Sequence, residues 1–173
     1  TPAEVDPEDI NALQDAGRYL RQSVLVTVKI AALTCGDLNG DGRMDLAYFG
    51  QPRGLYLLVQ QAAEEDGRIT FDQRQKIRID DDLAAITCLE VGDLNGDGRT
   101  DLLVGGRQDM HVLYQDDKGR LETPVRFPTT STIRGAWIQD MDGDGRNDLL
   151  LIVDDKERPM HMRFGRADGS LGP

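Results

Sequence analysis

Asp37-Leu-Asn39-Gly-Asp41-Gly-Arg43-Met-Asp45 is an acidic, glycine-rich loop that runs straight into an apolar stretch, and it recurs twice. The later copies read Asp93-Leu-Asn95-Gly-Asp97-Gly-Arg99-Thr-Asp101 and Asp140-Met-Asp142-Gly-Asp144-Gly-Arg146-Asn-Asp148. Oxygen-bearing side chains stand at positions 1, 3, 5 and 9 of each copy, and the glycine at position 6 permits a sharp turn between them. A hard cation such as Ca²⁺ takes roughly six to eight oxygens at short range, and this spacing wraps such ligands around one point. Polar Asp/Asn/Gly turns also form without metal. Three copies in register, however, crowd like charges that a cation would neutralise, so about three Ca²⁺ per chain are expected.

Position 12 separates these loops from helix-flanked calcium sites. An EF-hand loop ends there with a bidentate Glu, whereas this chain has Tyr48, Val104 and Leu151. The residues after position 9 are Leu46-Ala-Tyr-Phe49, Leu102-Leu-Val104 and Leu149-Leu-Leu-Ile-Val153, short apolar runs that read as buried strands. The same feature disfavours dockerin modules, whose similar loop leads into a helix.

Working outward, each loop is preceded by a short strand candidate: Ala32 to Cys35, Ala85 to Val91 and Gly135 to Ile138. A third strand is expected at Leu55 to Val59, Met110 to Tyr114 and Met160 to Phe164. Glycine turns at Gly67, Gly119 and Gly169 follow, and fourth strands are expected over 69–79 and 121–127. The loops start 56 and 47 residues apart, the size of one four-stranded propeller blade. The expected fold is all-β: a β-propeller segment of about three four-stranded blades, near 31–80, 84–128 and 133–173, within a domain over 24–173.

The Gly-Asp-Leu-Asn-Gly-Asp-Gly-Arg-x-Asp-Leu core, followed by Ala47-Tyr-Phe49-Gly50 or Leu103-Val104-Gly105-Gly106, resembles the FG-GAP repeat and the overlapping VCBS repeat. These repeats occur in integrin α-subunit propellers and in many secreted bacterial proteins. The resemblance runs from Ala31 to Gly169 and implies calcium at Asp37, Asn39, Asp41 and Asp45 and at the matching positions of the other loops. It further implies a backbone carbonyl ligand at position 7, from Arg43, Arg99 and Arg146. The third copy departs from the pattern, with Leu151-Ile152-Val153-Asp154 in place of a Phe-Gly or Gly-Gly pair and Gln139 in place of the glycine before the loop.

The charge agrees with a metal-rich chain. Ten of the 31 acidic residues are loop aspartates, and three Ca²⁺ would reduce the formal charge from −11 to −5. The third loop carries four carboxylates against three in each of the others and is expected to bind most tightly. No basic stripe with stacking aromatics suggests nucleic acid, and no apolar run approaches a membrane span.

Residues 1–23 differ in character. Asp6-Pro7-Glu8-Asp9 is a fair helix start, with Ile10 and Leu13 on one face and Gly17 interrupting it, so a short N-terminal helix is expected. Val24 to Ile30 reads as a strand that would serve as the outer strand of a preceding blade. Three blades do not close a ring. The expectation is therefore either a piece of a longer chain or a ring completed between copies through this strand, such as a six-bladed homodimer.

Nothing assembles into a catalytic centre, and no enzyme activity is expected. There is no Gly-x-Ser-x-Gly elbow or Walker loop. Two-metal hydrolysis needs ions about 4 Å apart, but each loop sits on its own blade. His111 and His161 are repeat equivalents of Tyr56 and read as architectural, and Trp137 reads as inter-blade packing, with ligand stacking as the alternative. Cys35 and Cys88 are offset along neighbouring strands and are expected to be free thiols. The expected role is an extracellular or periplasmic calcium-binding module for protein–protein interaction or assembly. A carbohydrate-binding propeller, or an accessory propeller of a larger polysaccharide-degrading enzyme, is the alternative; an aromatic content of 5% weighs against glycan binding.

Overall fold

The computed structural model describes residues 22–51, 54–65, 67–72, 75–79, 86 and 88–170. Those residues form eleven strands in three antiparallel sheets, with no helix among them. The first sheet runs in the order β1 (Lys29–Gly36), β2 (Asp45–Gln51), β3 (Gly54–Leu58) and β4 (Gln75–Ile77). The second contains β5 (Cys88–Gly92), β6 (Asp101–Gly105), β7 (Asp109–Leu113) and β8 (Val125–Pro128). The third has three strands, β9 (Ile133–Gln139), β10 (Asp148–Val153) and β11 (Met160–Arg163). Each acidic loop connects the first two strands of its sheet.

The sheets stack face to face in chain order. Successive side chains on a strand point to opposite faces, so every sheet has a forward face towards the next and a backward face towards the one before. Ala47, Phe49, Leu55 and Leu57 of the first sheet pack on Leu102, Val104 and Leu113 of the second. Leu103, Met110 and Val112 pack in turn on Ala136, Leu149 and Leu151 of the third. Full burial of a Leu or Val side chain contributes about 1.5–3 kcal/mol, so these two joints are the main source of cohesion. The inner strands lie side by side: β5 packs between β1 and β9. Close approach is set by glycine, since a Cβ at Gly36 would lie 3.0 Å from Val91 Cγ2 and one at Gly92 only 2.8 Å from Ile138 Cβ.

Several expectations change. The expected all-β stack of blade-like sheets is observed, and the described residues show no closed propeller. The expected N-terminal helix lies within 1–21, outside the described residues. The strand expected over Val24 to Ile30 is replaced: Lys29 and Ile30 already belong to β1, which pairs with β2 through a bulge between Ile30 and Ala32. Before it, Val26 and Val28 lie against Tyr48, Tyr56 and Leu58 on the backward face of the first sheet. With its apolar side chains turned onto that face, the segment is a cover, not a ladder partner. Its backbone tie is made by the Gln22 carboxamide, which accepts from Ile69 N–H at 3.0 Å and donates to Ile69 C=O.

The long fourth strands are also broken. Phe71 and Leu121 make isolated bridges to Gln60 and Gln115, and among the described residues ladder pairing is next seen at Gln75 and Val125. In the second sheet Pro124, which lacks an N–H to donate to a ladder, stands in the break. Among the described residues the third sheet has no fourth strand.

Candidate metal-binding loops

The three loops share one hydrogen-bonding plan, dictated by residue type. Asp37 Oδ1 accepts from Gly40 N (2.7 Å) and Asp41 N (3.1 Å), and its Oδ2 accepts from Gly42 N (2.8 Å). Asn39 Oδ1 accepts from Asp41 N at 2.9 Å, and Asp41 Oδ1 from Arg43 N at 2.9 Å. These local side-chain-to-backbone bonds are what Asp and Asn make in tight turns. Gly40 and Gly42 have φ of 77° and 80°, a region that a Cβ disfavours. The second loop repeats the set from Asp93, Asn95 and Asp97, and the third repeats four of its five bonds from Asp140, Asp142 and Asp144.

Position 9 anchors the loop to the sheet. Asp45, Asp101 and Asp148 are fully buried. Asp45 accepts from Leu38 N at 3.0 Å and from Gln60 N at 2.9 Å, tying the loop to the end of β3. Asp101 does the same with Leu94 N and Gln115 N, and Asp148 with Met141 N and Gly165 N. Burial raises the carboxyl pKa of Asp45 and pushes that of Asp101 up to about 6. Asp148 goes the other way, held low chiefly by the Gly165 N–H, with the Met141 N–H adding to it.

The arginines at position 7 do more than expose a carbonyl. Arg43 Nη2 pairs with Asp41 Oδ2 at 2.6 Å while its Nε donates to Gln60 C=O at 3.0 Å. Arg99 pairs with Asp97 and donates to Gln115 C=O, and Arg146 pairs with Asp144 and donates to Gly165 C=O. Sequence reasoning did not assign these side-chain roles, although an Arg at the same position of all three loops was the available signal.

The oxygens fit a hard divalent cation. In the third loop Asp140, Asp142 and Asp148 each offer a carboxylate oxygen, all within 4.8 Å of one another. Asp144, also expected as a ligand, is engaged by Arg146. In the first two loops Asn39 and Asn95 turn their amide nitrogens towards Asp41 and Asp97, each at 2.8 Å. All fifteen expected residues therefore lie in the three loops. The third differs in carrying a carboxylate, Asp142, at position 3 where the others carry Asn39 and Asn95.

The loops also reach across the joints. Gln115, buried at the end of β7, donates to Asp37 C=O at 3.0 Å, and Asn147 donates to Asp93 C=O at 3.0 Å. The glycine turn of each following sheet rests on the preceding loop: a Cβ at Gly119 would overlap the Asn39 carbonyl oxygen, and one at Gly169 would lie 2.5 Å from that of Asn95. Leu38 and Leu94, at position 2, are buried in the next joint.

The remaining candidates separate. His111 is buried and His161 exposed on different sheets, the latter with Nε2 3.1 Å from Arg158 C=O. Cys35 and Cys88 are free thiols. A polar groove of about 1600 Å³ runs over the outer edges of the first two sheets, lined in part by Asp109, His111 and Arg126, with no Phe, Tyr or Trp in its wall. No helix among the described residues is long and apolar enough to cross a membrane.

The sequence model of one family, described as FG-GAP-like repeat, matches residues 37–104 and 93–151. Among solved structures, the chain is similar to a lectin from Agrocybe aegerita described for specific recognition of non-reducing terminal N-acetylglucosamine. The TM-score is 0.54 at 21% sequence identity, over 82% of this chain and 36% of that one. This is a likeness of fold, and the chain spans about a third of the lectin chain's length. No curated protein matches.

Proposed function

The chain belongs to the FG-GAP-like repeat family, and from that premise we propose that it is a calcium-braced β-propeller module that binds or assembles and carries no catalysis of its own. The observation that carries the metal reading is the convergence of Asp140, Asp142 and Asp148 within 4.8 Å, on a backbone frame that the other two loops repeat. A bound Ca²⁺ supplies positive charge that offsets the crowded carboxylates and ties loop to strand. The chain's own residues hold the frame: position 1 folds the loop, position 9 fastens it to the sheet, and the position 7 carbonyl is a further oxygen donor. Because Gln115 and Asn147 grip the same loops from the next sheet, rigid loops mean rigid joints. Sites of modest affinity suit the millimolar calcium outside the cytoplasm, which supports an extracellular or periplasmic setting.

Titration with calcium, with magnesium as control, followed by native mass spectrometry tests this reading. Three Ca²⁺ per chain are expected, and absence of specific calcium would overturn it. Glycan binding is the second reading, favoured by the fold shared with the Agrocybe aegerita lectin. Trp137, half exposed on the third sheet, is the ring that would stack on a sugar. Quenching of its fluorescence by N-acetylglucosamine supports that reading, and an unchanged spectrum argues against it.

A further inference from the structure

At both joints the position 1 carbonyl of a loop is gripped by an amide from the next sheet, but the amide comes from two different places in the repeat. At the first joint the donor to Asp37 C=O is Gln115, which stands just beyond β7. At the second the donor to Asp93 C=O is Asn147, at position 8 of the third loop. Gly165 stands where Gln115 stands, with its N–H on the position 9 aspartate and its carbonyl on the position 7 arginine. It has no side chain to reach back with, and a Cβ there would overlap the Asn147 carbonyl oxygen. Position 8 of the second loop is Thr100, and there the strand end supplies the amide. The bond is kept while the residue that makes it changes, which sets it apart from incidental packing.

Both donors are tied to the expected metal ligands of their own loop. Gln115 gives its N–H to Asp101 Oδ1 at 3.0 Å and receives Arg99 Nε on its carbonyl at 2.9 Å. Asn147 lies between Arg146 and Asp148 in the chain. Both acceptors belong to expected ligands of the preceding loop, Asp37 and Asp93, whose carboxylates fold that loop. The grip continues along it. Leu38 and Leu94, at position 2, are buried in the joint, and the position 3 carbonyls of Asn39 and Asn95 lie against the Gly119 and Gly169 turns. Positions 1 to 3 of one loop are therefore fixed by the sheet that carries the next loop. A site whose backbone is held by an ordered neighbour loses less entropy when it is filled, so the second binding event is tighter than the first.

We infer that the three candidate calcium sites are coupled in a line, the third to the second through Asn147 and the second to the first through Gln115. This rests on the metal reading of the proposed function and deepens it by saying how the sites regulate one another. Coupling between binding events is reciprocal, so occupancy of either loop of a pair tightens the other. The third loop, with four carboxylates, fills first. Order then spreads through Asn147 to the second loop and through Gln115 to the first.

Each loop carries its own reporter for the test. The position 6 glycine donates to the position 1 aspartate: Gly42 to Asp37, Gly98 to Asp93 and Gly145 to Asp140. Calcium titration of the whole chain labelled with ¹⁵N-glycine reads the midpoint of each loop from these amide resonances. Asp97→Ala, at an exposed position 5, removes a ligand of the second loop. It is expected to raise the calcium midpoint at Gly42 and at Gly145 about five-fold, the low end for coupled sites. Gln115→Leu raises the Gly42 midpoint similarly with the second loop intact. Adding Asp97→Ala to it moves Gly42 no further, while Gly145 still responds. Asn147→Thr does the reverse, freeing Gly145 from the second loop and leaving Gly42 responsive. If Asp97→Ala loses its amide dispersion in chelator, Asp97→Asn takes its place. Midpoints at Gly42 and Gly145 that stay put when the second loop is disabled would overturn the inference alone. So would a Gly42 shift that persists in Gln115→Leu/Asp97→Ala. Glycine resonances that calcium leaves unmoved in the unaltered chain would overturn both the inference and the metal reading.

Discussion

The Gln115 carboxamide donates to the Asp37 carbonyl at 3.0 Å, joining residues 78 apart in the chain. Asp37 is the first residue of an acidic loop, so the joint between the first and second sheets is fastened to a candidate metal ligand. Gln115 itself is held from both sides, with its N–H on Asp101 and its carbonyl on Arg99. Loop order and sheet packing are therefore coupled.

Gln115→Leu removes this bond while keeping much of the volume. The Asp37 carbonyl is partly buried, so leaving it without this donor costs about 1 kcal/mol, the low end for a lost acceptor. The denaturation midpoint is expected to fall accordingly in chelator, with a smaller loss when calcium braces the loop. An unchanged midpoint in both conditions would show that water replaces the amide.

Gly119→Ala and Gly67→Ala form a matched pair. Both glycines have positive φ, 70° and 80°, for which a Cβ costs roughly 1–2 kcal/mol. Only Gly119 faces a neighbour, the Asn39 carbonyl. Thermal melts of the two variants should differ, with Gly119→Ala the more destabilised because it also pushes the first loop off the second sheet.

Asp45→Ala should destabilise even without metal. It strips the acceptor from the Leu38 and Gln60 N–H groups, and two orphaned buried donors cost about 2–6 kcal/mol together. Asp142→Asn, in contrast, alters an exposed carboxylate and gives the third loop the charge of the other two. Its expected effect is weaker calcium binding at that loop with little change in stability in chelator, measured by calorimetric titration and melting.

Burial pushes the Cys88 thiol up to about 11, so little thiolate is present at pH 8, while Cys35 is exposed. Alkylation under native conditions should label Cys35 first and reach Cys88 readily only after unfolding. The folded-state pKa lies above the ordinary thiol value of 9.0. Its contribution to stability is therefore complete below pH 9 and is lost as pH rises towards 11. Denaturation midpoints at pH 8 and pH 10 check the sign.

Much of the site was legible because its contacts are short-range. Asp at position 1 bonding to N–H groups three to five residues on, and glycine where φ is positive, need only the nine-residue string. The strands after each loop were equally clear, as apolar runs bounded by Asp and Gly. The fourth strands were misjudged in extent, since the apolar residues on either side of Pro124 concealed the break in pairing. The segment at Val24 was misjudged in kind: its alternation suits a strand and suits equally a cover laid on Tyr48 and Tyr56.

The amino-acid sequence by itself determined the three loops, their oxygen-rich character, the glycine turns and the repetition of sheets, because local hydrogen bonds and period-two burial are set by neighbouring residues. Only the tertiary structure decided which face of each sheet meets the next, that Arg43, Arg99 and Arg146 bridge loop and strand, and that Gln115 and Asn147 reach back across the joints. It also decided that Met160 and Met162 stay exposed while their counterparts Leu55, Met110, Leu57 and Val112 are buried. Those outcomes depend on where a second sheet stands relative to the first, and packing across 54 or 78 residues leaves no mark in local spacing.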